Sequence, residues 1–240
     1  AAAIEYFGTE YYVDFLIRTF NKPVVCWAQG YVMGGGLGIM NACSHRIVCD
    51  TSVLSMPEIN IGFFPDVGAS YFLNQLPSGV GLFMGLTAAR LSGSDALAVS
   101  LADYYLLASA KNTTIQDIKV LPWAESDKEN HKIISNYLES KSNDSVVGQA
   151  EIMDRLELIQ ELMDQDTLKD LDTVIREWEP EDKYFIDCKK AYEEGSPTTV
   201  NVIYELLRKA PREIKDIYFR EWNVAINMCN HSQDFVEGVR

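Results

Sequence analysis

Met33-Gly34-Gly35-Gly36-Leu37-Gly38, followed by Met56-Pro57-Glu58-Ile59-Asn60-Ile61-Gly62-Phe63-Phe64-Pro65-Asp66-Val67-Gly68, decides the reading of this chain. An apolar run, Val24-Val25-Cys26-Trp27-Ala28, leads into the glycines, and a second, Leu37-Gly38-Ile39-Met40-Asn41-Ala42-Cys43, leaves them. This reads as a strand, a glycine turn and a helix start. Glycines let the backbone approach a ligand closely, and a helix N-terminus offers unpaired N–H groups to negative charge. Glu58 and Asp66 then stand in apolar surroundings. Backbone donors for an oxyanion beside a buried carboxylate are the equipment of an enzyme that handles carbonyls.

Outward from these motifs, the pattern predicts a helix over 4–19, a strand over 24–29 and a helix over 35–43. Arg46–Asp50 and Val53–Met56 read as short strands, and so does Tyr104–Leu107. Asp66 can cap a helix running from Val67 to Leu76. Further helices are expected at 79–88 and 94–100, the second opened by Ser94 or Asp95, with Ser92-Gly93-Ser94 as the loop between them. Strands alternating with helices indicate an α/β arrangement.

Near residue 110 the chain changes character. Residues 1–110 hold four Lys/Arg and eight Asp/Glu, against 17 and 27 in 111–240, and glycine falls off. We divide the chain into a core at 1–110 and a helical region at 111–240. In the latter, Ile152, Leu156, Ile159 and Leu162 share one helical face, as do Ile203, Leu206 and Leu207. Ser196-Pro197-Thr198 enters a helix with Pro in or just before its first turn. Pro211-Arg212-Glu213 opens another that reaches about Cys229, and Ser140–Ser145 reads as a solvated loop. The helical faces at 149–164 and 212–229 can pack within one chain or between copies in a homo-oligomer.

Composition narrows the function classes. A net charge of −14 over 240 residues leaves no basic face for nucleic acid and disfavours an anionic membrane surface. No apolar run is long enough to span a membrane, and the start lacks a signal peptide's basic and apolar regions. The five cysteines form no C-x-x-C pair and read as free thiols of a reducing compartment, a bacterial cytoplasm or a mitochondrial matrix. His45, His131 and His231 are not spaced as metal ligands, so no metal is expected. Ser70 lacks the G-x-S-x-G elbow of a hydrolase serine. A dinucleotide fingerprint on Gly34 and Gly36 would need glycine at Ile39, and a phosphate loop on Gly30 and Gly35 would need lysine at Gly36.

Taken alone, the glycine cluster reads either as a tight strand-to-helix corner or as a site where Gly35 N–H polarises a carbonyl. Glu58, held in an extended entry by Pro57, is either a partly exposed strand-end residue or a desolvated carboxylate with a raised pKa, suited to proton transfer or nucleophilic attack. Asp66 is a helix cap, a site residue, or both.

These motifs resemble the crotonase superfamily, also called the enoyl-CoA hydratase/isomerase superfamily. Lys22-Pro23-Val24-Val25 through Gly30, Met33–Gly36, and Met56-Pro57-Glu58 with Gly62 and Pro65 follow its central pattern. The longer stretch to Leu73, Ser196-Pro197-Thr198-Thr199 and Asp234-Phe235-Val236-Glu237-Gly238-Val239-Arg240 are similar to its 3-hydroxyisobutyryl-CoA hydrolase branch. The resemblance covers essentially the whole chain. It implies a core of repeated ββα turns with a helical C-terminal part, and an acyl-CoA thioester held between two backbone donors. Gly35 would be one donor. The other, with much of the CoA pocket, belongs by the family pattern to a strand and loop before residue 1, and the family continues past Arg240.

By the same resemblance, Gly38 stands where hydratases carry their first catalytic Glu, and hydrolases of the family share this glycine. They use the Glu at position 58 with the Asp of Phe64-Pro65-Asp66-Val67-Gly68. The resemblance therefore implies Glu58, Asp66 and Gly35 as catalytic residues and Gly34, Gly36, Gly38 and Phe64 as lining the substrate. It implies no cofactor, CoA arriving as part of the substrate. The expected activity is hydrolysis of a short 3-hydroxyacyl-CoA in valine catabolism. The rivals are an enoyl-CoA hydratase or isomerase, and a non-catalytic acyl-CoA-binding or assembly subunit that kept the fold.

Overall fold

The computed structural model describes residues 2–142 and 147–240. A long helix, α1 (Ala2–Thr19), precedes two successive strand–strand–helix turns. The first is β1 (Val25–Trp27), β2 (Tyr31–Met33) and α2 (Gly35–Ala42). The second is β3 (His45–Val48), β4 (Val53–Ser55), a 3-10 turn at Glu58–Ile61, α3 (Ala69–Phe72) and α4 (Val80–Thr87). A shorter strand–helix–strand segment follows them: β5 (Leu91–Ser92), α5 (Gly93–Ala98) and β6 (Tyr104–Tyr105).

Each turn of chain stacks on the one before. β1, β3 and β6 form one parallel sheet, with Val25 opposite His45 and Ile47 opposite Tyr104. β2 and β4 pair in parallel, Tyr31 opposite Val53, and β5 closes that second sheet antiparallel to β4. Parallel strands are covered on both faces, and Ile47, Val48 and Leu54 are accordingly fully buried. Arg46 ties the first sheet laterally: its guanidinium donates to both carboxylate oxygens of Asp103, at 2.9 and 2.6 Å.

The strand expected at 24–29 is shorter, and a second, unexpected strand follows it before the glycines. β1 stops at Trp27, Gly30 turns the chain at φ +69°, and it is β2 that runs into the glycines. The helix expected at 94–100 opens earlier, at Gly93. Ser92 Oγ accepts from Asp95 N–H at 3.1 Å while the Asp95 carboxylate accepts from Ser92 N–H at 2.9 Å. This reciprocal capping box draws Ser92-Gly93-Ser94 out of the expected loop and into a strand end and a helix. Of the solvated loop expected at 140–145, Ser140 and Lys141 belong to a helix, and Asn143–Ser145 lie outside the described residues.

Beyond Tyr105 the described residues form helices only: α6 (Lys111–Lys119), α7 (Asp127–Lys141), α8 (Glu151–Met163), α9 (Leu168–Glu177), α10 (Lys183–Glu194), α11 (Pro197–Arg208), α12 (Ile214–His231) and α13 (Gln233–Gly238). α8 buries Ile152, Ile159 and Leu162, with Leu156 packed half-buried beside them. Ser196 caps α11, accepting from Thr198 and Thr199 N–H with Pro197 at the first helical position. α8, α10 and α11 pack on α4, and α12 packs along α1. One continuous core thus joins Phe7 and Tyr11 of α1 to Met56, Phe64, Phe83, Ile203 and Met228. No helix among the described residues is long and apolar enough to cross a membrane. All five cysteines are free thiols.

Candidate active site

The site begins where β2 meets α2. Gly34 is the helix cap at φ +52°, ψ −124°, a conformation open to glycine and strained for other residues. Its carbonyl accepts from Leu37 and Gly38 N–H at 2.9 and 3.0 Å, which starts the helix. The N–H groups of Gly35 and Gly36 have no hydrogen-bond partner among the described residues. These are the free donors that a helix N-terminus leaves. Gly35 is half-buried and Gly36 exposed.

Glu58 comes to the same place from the other side. A Cβ built on Gly34 would lie 2.6 Å from Glu58 Oε1, so the carboxylate fills the space that glycine leaves. Pro57 does not extend the chain into Glu58, as its sequence position suggested. At φ −88°, ψ +14° it caps a 3-10 turn, Glu58–Ile61, closed by Gly62 in the left-handed region at φ +65°. The tight turn points Glu58 inward rather than along a strand. The residue is 7% exposed, and its Oε2 is buried without a hydrogen-bond partner among the described residues. Burial, with a smaller push from Glu10, raises its carboxyl from the usual 4.5 to about 8.

Asp66 is not a helix cap. The cap of α3 is Gly68 at φ +85°, and Asp66 points instead toward α1. There Tyr11 Oη donates to Asp66 Oδ2 in a short hydrogen bond of 2.5 Å. Burial and the neighbouring Glu58 hold Asp66 well above the ordinary carboxylate range, against the lowering effect of the Tyr11 bond. Glu58 thus helps to keep Asp66 protonated, since a second negative charge nearby disfavours ionisation.

A third acid secures this loop. Glu221 of α12 is fully buried and accepts from Gly68 N–H at 2.7 Å and from Ser70 N–H at 2.9 Å. Burial raises its carboxyl to about 7. Val67, between Asp66 and Gly68, takes φ +54°, a strained value for a β-branched residue. The two hydrogen bonds to Glu221 hold the chain in that shape.

The structure therefore brings Gly34, Gly35 and Glu58 together and sets Asp66 on Tyr11. Gly36 stands open beside them, a Cβ there meeting nothing within 4 Å. Gly38 and Phe64 face inward: Gly38 is covered by Val67, and Phe64 is fully buried with its ring centroid 4.7 Å from that of Phe63. Sequence reasoning missed Tyr11, Glu10 and Glu221. Glu10 Oε1 lies 2.7 Å from where a Cβ of Gly35 would be, and Glu10 lines an open notch of about 490 Å³ with Glu5, Tyr6 and Thr9. One signal was available on α1. Phe7, Tyr11, Asp14 and Arg18 fall on one helical face, and an acid in that stripe marks a polar group taken inside. Asp14 is 1% exposed, neither carboxylate oxygen has a partner among the described residues, and burial with Glu10 and Glu221 nearby raises it to about 7.

Free backbone donors at a helix start, beside a carboxylate that burial makes basic, can stabilise an oxyanion and move a proton or attack at its carbon. A family model for enoyl-CoA hydratase/isomerase matches residues 1–240. The chain belongs to this family. It superposes on a carnitinyl-CoA dehydratase from Mycobacterium thermoresistibile with a TM-score of 0.85 at 27% identity, covering 99% of this chain and 66% of the other. The stacked ββα turns are thus the crotonase core expected from the sequence. Among curated relatives, a probable 3-hydroxyisobutyryl-CoA hydrolase 2 of Arabidopsis thaliana is 30% identical over 241 residues, 98% of this chain and 62% of its own. The small ribosomal subunit protein mS47 of Neurospora crassa is 44% identical over 108 residues, 45% of this chain and 21% of its own. This enoyl-CoA hydratase/isomerase family member spans about three fifths of the length of the relatives it matches end to end.

Proposed function

We propose that this chain carries the reacting half of an acyl-CoA thioester hydrolase acting on a short 3-hydroxyacyl-CoA, with 3-hydroxyisobutyryl-CoA as the substrate. One observation carries the reading: Glu58, buried with an Oε2 that has no partner among the described residues, abuts the Gly34–Gly35 helix start, while position 38 offers no second carboxylate. Val67 occupies the space beside Gly38 where such a side chain would begin. Water addition across a double bond by two cooperating carboxylates loses one of them, whereas acyl transfer needs a single carboxylate and an oxyanion hole.

In this reading the thioester oxygen accepts from Gly35 N–H, with the dipole of α2 behind it. Glu58, deprotonated, takes one of two courses. It attacks the carbonyl carbon, the C–S bond breaks, the CoA thiolate leaves, and water hydrolyses the resulting mixed anhydride. Alternatively it removes a proton from a water that attacks the same carbon. Both routes release free CoA and the hydroxy acid, and both draw on no cofactor. Asp66, fixed by Tyr11, binds the substrate hydroxyl or orients Glu58 and the water. Supplying intact protein with 3-hydroxyisobutyryl-CoA, and crotonyl-CoA in parallel, tests this. Thiol release without hydration supports it, and hydration without thiol release overturns it.

The similarity to mS47 favours a second reading, that of a copy of the fold assembled into a small ribosomal subunit. The 44% identity over 108 residues exceeds the 30% found with the hydrolase. Co-sedimentation of the intact protein with small ribosomal subunits supports this reading. It is compatible with thiol release, so the two assays are run on one preparation.

A further inference from the structure

Two motifs late in the chain, Ser196-Pro197-Thr198-Thr199 and Asp234–Arg240, are far in sequence from Glu58 and have no part in the chemistry above. In space they meet each other on the turn that carries Glu58. Ser196 Oγ donates to Asp234 Oδ2 at 2.5 Å. The same oxygen accepts from Thr198 N–H at 3.1 Å and Thr199 N–H at 3.4 Å. Its one hydrogen and both lone pairs are used, so the hydroxyl has a single direction. Through that one atom the start of α11 is joined to α13.

Both segments press on Glu58–Ile61. A Cβ on Gly62 would come within 2.5 Å of the Asp234 backbone, and one on Gly238 within 2.3 Å of the Ile61 backbone. A Cβ on Gly195, just before Ser196, would lie 2.7 Å from Ile59 Cγ1. Gly62 and Gly238 thus let backbone close on backbone around this one turn, and Gly195 makes room for the Ile59 side chain. Phe235 adds a ring contact, its centroid 4.7 Å from that of Phe63, which itself stacks on Phe7 at 5.5 Å.

We infer that the Ser196–Asp234 hydrogen bond is a positioning contact for Glu58, locking α13 against the 3-10 turn and so fixing the carboxylate beside Gly34 and sealing it from water. The inference rests on the reading of Glu58 as the reacting group. α13 is six residues long, with Val236 exposed on it and Val239 exposed just after it. Such a segment holds its place only through specific contacts, and the Ser196 bond is the buried-side polar one among the described residues. A turn released by it would move Glu58 relative to Gly35 N–H, and misplacement by about 1 Å costs on the order of a hundredfold in rate.

The test compares Asp234→Ala, Ser196→Ala, their combination and Asp234→Asn in the intact protein. Either alanine variant should lower kcat for thiol release about tenfold to a hundredfold, with KM within about threefold of the parent. The double variant should be no worse than either single one, because one bond is lost in each case. Asp234→Asn keeps an acceptor oxygen and should restore most of kcat. A second readout does not depend on turnover. The carboxyl carbon of Glu58, assigned in a carbon-13 spectrum by its loss in Glu58→Gln, should titrate at lower pH in Asp234→Ala as water reaches it. Glu10 and Asp66, which also face it, are unchanged. Parent kcat and parent midpoint in both single variants overturn the inference, as does an additive double variant. Should Asp234→Ala fail to fold, Asp234→Gln, which displaces the acceptor by one methylene, carries the same comparison. Parent-like thiol release by Glu58→Gln would sink the proposed function instead, leaving the carboxyl titration to decide the positioning claim.

Discussion

Val67 lies directly over Gly38: a Cβ on Gly38 would sit 2.4 Å from Val67 Cγ2 and 2.5 Å from its Cβ. The contact links α2, which offers Gly35 N–H, to the strained loop that presents Asp66. Val67 is 1% exposed at φ +54°. Gly38→Ala should therefore overpack this junction and cost about 1–3 kcal/mol. Pairing it with Val67→Gly, which removes the clash and suits the positive φ, should cost less than the two changes added. Urea unfolding of the four proteins in that cycle measures it.

Tyr11→Phe removes the side-chain donor that Asp66 has among the described residues and leaves a buried oxygen unpaired, at about 1–3 kcal/mol of stability. The Tyr11 bond lowers the Asp66 pKa, so its loss should drive Asp66 further above the carboxylate range. The acid limb of kcat/KM against pH should move to higher pH, and a pH–rate profile of Tyr11→Phe shows whether it does.

Glu221→Ala should loosen the Asp66 loop without touching substrate. It orphans Gly68 and Ser70 N–H, each at about 1–3 kcal/mol where buried. The expected outcome is a lowered Tm and faster amide exchange at Gly68 and Ser70, with α8 and α11 still protected. Unchanged exchange at those two amides would remove Glu221 from its role in holding the loop.

Stability should fall as pH rises. Glu58 moves from the usual 4.5 to about 8, Glu221 from 4.5 to about 7 and Asp14 from 3.8 to about 7 on folding. Below about pH 4 these groups are protonated in both states and the full stability is present. Between about 4 and 8 the unfolded chain has released protons that the native chain still holds. Each group then costs up to about 1.4 kcal/mol per pH unit over its own window. Above pH 8 the loss levels off. Glu58→Gln should be more stable than the parent at pH 8, with the gap closing toward pH 5, as denaturant midpoints across pH would show.

Local chemistry made much of this legible in the sequence. The glycine start of α2, β4, the entry of α11 at Ser196-Pro197 and the buried faces of α8 and α11 follow from nearest-neighbour rules that their own residues carry. Glu58 and Asp66 were readable because acids among Met56, Phe63 and Phe64 are rare unless taken inside. The conformation of Pro57 was not readable: its residue type allows both an extended entry and a turn, and the turn is chosen by Asp234 and Gly238 packing on it from the far end of the chain. Asp66 looked like a helix cap because its true partner, Tyr11, is 55 residues away on a helix with no local tie to it. Glu221 was indistinguishable from the many surface acids of 111–240, since only packing of α12 on α1 and α3 buries it.

The most direct test of the account is thiol release from 3-hydroxyisobutyryl-CoA by Glu58→Gln, with binding of the CoA ester measured on the same sample. Gln keeps the size and shape of the side chain but can neither attack the carbonyl nor take a proton. The account predicts binding near that of the parent with turnover abolished. Turnover at the parent rate would contradict it and move the chemistry away from Glu58.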